Sequence, residues 1–127
     1  MSLTRRLFCL SLLGTAACGR SGRSSTKAPA MSHDTLPLHA NETPELRGLI
    51  NRYADHYEVP RTLVHRVIQR ESGYRPGARN GPYYGLMQIL PQTARGMCFK
   101  GENSDLLDAE TNLKYAVKYL RGAWLWL

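Results

Sequence analysis

A chain of 127 residues fits one domain around one hydrophobic core and is too short for two of ordinary size. Seventeen Lys and Arg against ten Asp and Glu give a net charge of +7, which suits an acidic or polyanionic partner. The basic residues form no run and have no interleaved aromatics, which speaks against nucleic acid, and the cysteines and histidines show no metal-ligand spacing, so no metal is expected.

The first seventeen residues read as an export signal: Arg5 and Arg6 supply the charged start, Leu7 to Leu13 a short apolar run, and Thr15-Ala16-Ala17 the small-residue cleavage site. The apolar run is too short to span a bilayer. Thr4-Arg5-Arg6-Leu7-Phe8 fits a twin-arginine signal and an ordinary one equally. Removing Arg5 and Arg6 with the signal leaves a charge of +5. Cys18 either begins a released periplasmic protein or carries the lipid of a lipoprotein, and a membrane is a partner only in the second case. Cys9 leaves with the signal, so one bridge at most, Cys18 to Cys98, can form in an oxidising compartment; Cys98 is otherwise expected to be a small buried side chain.

Residues 18–41 are rich in Gly, Ser, Thr, Pro and Ala and poor in large apolar side chains, so a flexible tether is expected, with the folded domain over 42–127. Thr43 caps a helix and Pro44 suits its first turn, after which Leu46, Leu49, Ile50, Tyr53, Ala54 and Tyr57 recur at helical spacing. A second helix starts near Pro60, carries Leu63, Val64, Val67 and Ile68 on its apolar stripe, and stops at Gly73. Residues 73–85 hold four Gly and two Pro and are expected to form a loop. Pro91 opens a short helix to about Met97, and Asp108 caps a last one with Leu113, Ala116, Val117, Leu120 and Trp124 on one face. No strand alternation stands out, so the fold class is mainly α.

Glu71 lies four residues after Val67 and three after Ile68, so helical geometry sets it on the stripe of expected core positions, in the last turn. The negative end of the helix dipole and the loss of water there both favour the neutral carboxyl, the form a general acid must have. The alternative is a frayed-end carboxylate paired with Arg70, Arg75 or Arg79.

The stretch Leu63-Val64-His65-Arg66-Val67-Ile68-Gln69-Arg70-Glu71-Ser72-Gly73-Tyr74-Arg75-Pro76, followed by Tyr84-Gly85-Leu86-Met87-Gln88-Ile89 and Pro91-Gln92-Thr93-Ala94, resembles the soluble lytic transglycosylase (SLT) domain of the lysozyme-like superfamily. Asp108-Ala109-Glu110-Thr111-Asn112-Leu113, leading into Tyr119-Leu120, resembles the family's next block, and the match runs in order over about residues 46–122. The resemblance implies a helical goose-type lysozyme fold acting on peptidoglycan in the periplasm or cell envelope, as a monomer and without a cofactor. It implies cleavage of the β-1,4 bond between N-acetylmuramic acid and N-acetylglucosamine without water, leaving a 1,6-anhydromuramyl end.

Carried over by position, Glu71 matches the catalytic Glu and Ser72 the adjacent Ser, while Met87 and Gln88 match a cleft-lining pair that contacts the glycan. Met87 either packs in the core or touches substrate. Gln88 needs a backbone partner or a sugar for its amide, with the sugar the expected one. Asn80 stands where the family usually has a Ser that helps place substrate. Asn112 is expected to be a structural hydrogen-bonder. Tyr83 and Tyr84 either stack on sugars or cover the core edge.

The family continues into a Tyr-containing helical motif that nothing here matches, and the chain stops at Ala123-Trp124-Leu125-Trp126-Leu127, whose apolar side chains need a covering helix. The expectation is therefore a domain lacking its C-terminal part. Two other functions remain open: a module that binds peptidoglycan without cutting it, and a hydrolytic lysozyme that takes a second carboxylate from Glu102, Asp105, Asp108 or Glu110.

Overall fold

The computed structural model describes residues 33–126. The expected export signal, Cys18 and most of the expected tether lie outside the described residues. Four helices follow in order: α1 (Pro44–His56), α2 (Arg61–Ser72), α3 (Pro91–Gly96) and α4 (Ala109–Trp124). The protein is mainly helical, as the apolar spacing predicts. Among the described residues no helix is long and apolar enough to cross a membrane.

Each boundary has a local cause. Thr43 Oγ1 accepts from the Leu46 amide at 3.1 Å and Pro44 occupies the first turn of α1. Gly73 ends α2 in the left-handed region (φ 59°, ψ 39°), its amide reaching the carbonyls of Ile68 and Gln69. Asp108 caps α4 by accepting from the Thr111 amide at 2.9 Å.

Helix α1 packs against both α2 and α4. The core between them is built from Ile50 and Ala54 of α1, Val64 and Ile68 of α2, and Leu113, Ala116 and Val117 of α4, with Leu86 and Leu106 filling from the loops. Trp124, Leu125 and Trp126 at the end of α4 stand exposed.

Three features depart from the sequence reading. Residues 79–84, expected as plain loop, contain a minimal antiparallel hairpin, β1 (Arg79–Asn80) with β2 (Tyr83–Tyr84), turning on Gly81 at φ 55°. Two residues per strand are too few for an alternating pattern to register. A 3-10 helix at Asn103–Leu107 precedes α4, closed by reciprocal Glu102 and Asp105 capping. Residues 33–41, expected to be the end of a flexible tether, instead form a strap that starts with a 3-10 turn at His33–Thr35 and lies against α1. The strap is held by polar contacts, which hydrophobic patterning does not register. Arg47 forks onto both oxygens of buried Glu42 at 2.9 Å and reaches the carbonyls of Leu36 and Pro37.

Candidate active-site groove

The end of α2, the segment Tyr83 to Leu90, the start of α3 and the outer face of α4 enclose a groove of about 310 Å³. Its floor is apolar, from Val67, Met87, Ile89, Leu90, Ala116 and Leu120, and its polar groups are Glu71, Gln88, Thr93 and the two tyrosines Tyr83 and Tyr119. A concave apolar surface with few polar groups is the usual form of a small-ligand or oligosaccharide site.

The Tyr83–Leu90 wall is shaped by one buried amide. Asn112 donates from Nδ2 to the carbonyls of Tyr84 (2.8 Å) and Leu106 (2.9 Å), and its Oδ1 accepts from the Met87 amide at 3.0 Å. Gly85, at φ 74°, passes so close that a Cβ there would lie 2.4 Å from both Asn112 Nδ2 and the Leu106 carbonyl. Asn112 is thus the structural hydrogen-bonder that the sequence suggests.

Gln88 is in the groove, yet its amide is already satisfied, contrary to the expectation that a sugar would take it. Nε2 donates to the carbonyls of Ala78 (3.1 Å) and Gly85 (2.9 Å), while Oε1 accepts from Asn80 Nδ2 at 3.2 Å. These bonds hold a non-glycine residue at φ 50°, a conformation that needs such support. Asn80 is exposed on β1 and does not line the groove. Met87 is both core and lining, so its two readings coincide. Ser72 is buried, its hydroxyl donating to the Ile68 carbonyl at 3.2 Å, and it does not reach the groove.

Glu71 projects into the groove from the last turn of α2. It is exposed, not buried with Val64 and Ile68, because at the helix end its side chain emerges into the open cleft. The desolvation expected for it from the apolar stripe is therefore absent. The alternative pairing with arginine is also absent: among the described residues the Glu71 side chain has no hydrogen bond or ion pair. Arg75 instead donates to the Ser72 carbonyl, and Arg79 donates to the Gly81 carbonyl and covers the Tyr84 ring at 3.7 Å.

Among the described residues no other acidic side chain lines the groove. Asp108 caps α4, Glu102 and Asp105 cap the 3-10 helix, and Glu110 accepts from Tyr53 Oη at 2.9 Å in a separate depression between α1 and α4. Each carboxylate considered for hydrolysis is thus committed elsewhere. Among the described residues no group of three or more His, Cys, Asp and Glu could hold a metal ion.

The tyrosine pair divides its roles. Tyr83 lines the groove with 43% of its surface exposed, whereas Tyr84 is half-buried beneath Arg79. Tyr119, 54% exposed on the opposite wall, and Thr93 were not singled out from sequence as site residues. An aromatic one turn beyond Ala116, at the edge of the α4 stripe, was the available signal for Tyr119. Cys98, expected to be buried, is an exposed free thiol, because the chain turns outward there at φ 74°.

Residues 48–124 match the family model described as the transglycosylase SLT domain. The chain belongs to the transglycosylase SLT domain family. The helical fold is accordingly the lysozyme-like one, and an SLT domain carries a lytic-transglycosylase type of activity on peptidoglycan. The matched span contains every element of the groove, from α2 through α4. No solved structure matches the chain.

Proposed function

We propose that this SLT domain cleaves the MurNAc-β-1,4-GlcNAc bond of peptidoglycan without water, using Glu71 as its single acid and base. The observation that carries this reading is that, among the described residues, Glu71 is the one carboxylate lining the groove. Glycosidases that use water or an enzyme nucleophile normally need a second carboxylate across the scissile bond, and none faces Glu71 here. A single group suffices if the sugar supplies its own nucleophile. Glu71 protonates the glycosidic oxygen as the bond to C1 breaks. As carboxylate it then takes the proton of the C6 hydroxyl, whose oxygen closes on C1 to give the 1,6-anhydro ring.

Tyr83 and Tyr119 supply aromatic surface to sugar rings on opposite walls, and Met87 the apolar floor between them. Gln88 and Asn80 act mainly by bracing the wall, with one lone pair of Gln88 Oε1 left for a glycan donor. Ser72 acts through the helix end that it ties to Ile68. The working location is the bacterial envelope, where the substrate lies.

A second reading, a module that binds peptidoglycan without cutting it, draws support from the same carboxylate. Glu71 has no described partner to orient it, and catalytic groups usually do.

Incubating the protein and Glu71→Gln with peptidoglycan sacculi, followed by mass spectrometry of released muropeptides, separates the readings. Anhydro-ended products that vanish in the variant are the expected result. Reducing-end products would point to hydrolysis, and retention on sacculi without release would leave the binding module.

A further inference from the structure

The turn that follows Glu71 is gripped from behind by the strap of residues 33–41. Three contacts make the grip. The His33 ring stacks on His65 of α2 (centroids 3.9 Å apart, planes 12° apart), the His39 ring stacks on Tyr74 (5.1 Å, 15°), and Asn41 Nδ2 donates to the Gly73 carbonyl at 3.3 Å. His65 lies six residues before Glu71, about 120° round the helix, so the grip and the groove use different faces of α2.

His65 and Tyr74 close the arrangement. Asn51 gives its Nδ2 to Asp34 Oδ1 at 2.6 Å, which turns its Oδ1 towards His65 Nε2 at 2.9 Å and sets the imidazole proton there. His65 Nδ1 is then the acceptor for Tyr74 Oη at 2.9 Å. Tyr74 is held by that bond at φ 63°, directly after left-handed Gly73, so two successive left-handed residues bend the chain sharply away from α2. An untethered tyrosine would relax from that conformation, and the helix end carrying Glu71 would relax with it.

We propose that the strap and the His65–Tyr74 pair form a positioning clamp that fixes the direction in which Glu71 enters the groove. The proposal rests on the reading of Glu71 as acid and base and assigns the orienting role to residues that never touch substrate. The strap is suited to release as well as to hold, because polar and ring contacts attach it. Its leucines add little, Leu38 being exposed.

The clamp requires neutral imidazoles, since two stacked cations repel. His65 faces His33 and His39 from the strap, Glu42 at the strap's end, Arg47 and Asn51 from α1, and Tyr74 from the turn. Only Glu42, with Oε1 3.6 Å from Nδ1, stands close to offset a charge there, and its carboxylate is already bound by Arg47. Burial, with His33 and Arg47 adding to it, pulls the His65 pKa down to about 4, in keeping with a ring held neutral.

The test follows the Glu71 side-chain carboxyl by 13C NMR, assigned through Glu71→Gln, alongside kcat and KM on sacculi. Tyr74→Phe keeps the ring packing and removes the hydroxyl bond to His65. Its Glu71 resonance is expected to move, with kcat about five- to tenfold lower and KM within twofold. His33→Ala, altered on the strap and outside the core, is expected to do the same. His33→Phe, which restores a stacking ring without a charge, is expected to recover both readouts. An unmoved Glu71 resonance in Tyr74→Phe and His33→Ala overturns the clamp and leaves ordinary packing. If Tyr74→Phe moves the resonance while the unmutated protein releases no product from sacculi, the acid/base reading alone falls, because the NMR readout needs no turnover.

Discussion

The Met87 amide donates to Asn112 Oδ1 at 3.0 Å, so one side chain of α4 holds the wall of a groove whose opposite edge carries Glu71. Asn112 Nδ2 donates in turn to the carbonyls of Tyr84 and Leu106. Asn112→Ala is expected to leave the Met87 amide and the Leu106 carbonyl unpaired in a fully buried site, while the Tyr84 carbonyl keeps the Ile89 amide, at a cost of about 2 kcal/mol or more. Urea unfolding followed by circular dichroism measures it, and a loss below about 1 kcal/mol would mean that water or a local shift replaces the amide.

Gly85 and Asn112 are expected to be coupled. Gly85→Ala places a Cβ 2.4 Å from Asn112 Nδ2 and from the Leu106 carbonyl, at a φ of 74° that disfavours any side chain. The clash and strain should destabilise by about 2–4 kcal/mol. Since part of that clash is with Asn112, the double variant Gly85→Ala/Asn112→Ala should lose less than the sum of the single losses. A double-mutant cycle by denaturant unfolding checks this, and strict additivity would show that the Leu106 carbonyl alone sets the clash.

Helices α1, α2 and α4 were legible in sequence because each has a long apolar stripe with a chemical start or stop, such as Thr43, Gly73 and Asp108. The short α3 was legible through Pro91 at its start. Glu71 was legible through its place between those stripes and the block Gly85-Leu86-Met87-Gln88. What the sequence hid was governed by single polar contacts. Nothing in the spacing of Gln88 announces that Ala78 and Gly85 will use its amide. Nothing in residues 33–41 announces that Arg47 will bind their carbonyls. The exposure of Cys98 depends on one positive φ, and that of Glu71 on the helix ending beside a cleft, both of which arise from tertiary structure.

The two groove tyrosines should contribute to glycan binding more than to stability, since Tyr83 and Tyr119 are largely exposed. Tyr83→Ala and Tyr119→Ala are each expected to raise KM on sacculi about three- to tenfold, the loss of one aromatic contact of about 1 kcal/mol, with the melting temperature within a few degrees. A fall in kcat without a change in KM would assign the tyrosine to the chemistry instead of to binding.

Stability should fall on the acid side in a window set by His65 of α2 and His33 of the strap. The His65 pKa lies at about 4 in the folded protein, against 6.5 for a free imidazole, chiefly from burial, and that of His33 is lowered for the same leading reason. A depressed folded pKa means that the unfolded chain binds the proton first. The stabilisation is therefore fully present above pH 6.5 and is lost as pH falls from 6.5 towards 4. For His65, whose side chain is almost wholly buried, the shift corresponds to roughly 3 kcal/mol. Glu42 adds to the same trend at lower pH, its carboxylate held below the ordinary range by Arg47 although burial alone would raise it, so its contribution is lost only as acidification proceeds below pH 4.5. Unfolding free energy measured between pH 7.5 and 4 should thus drop steeply from about pH 6.5, and His65→Gln, though less stable at neutral pH, should show a flatter profile over that range. An unmutated profile that stays level down to pH 4.5 would mean that neither imidazole is protected from protonation by folding.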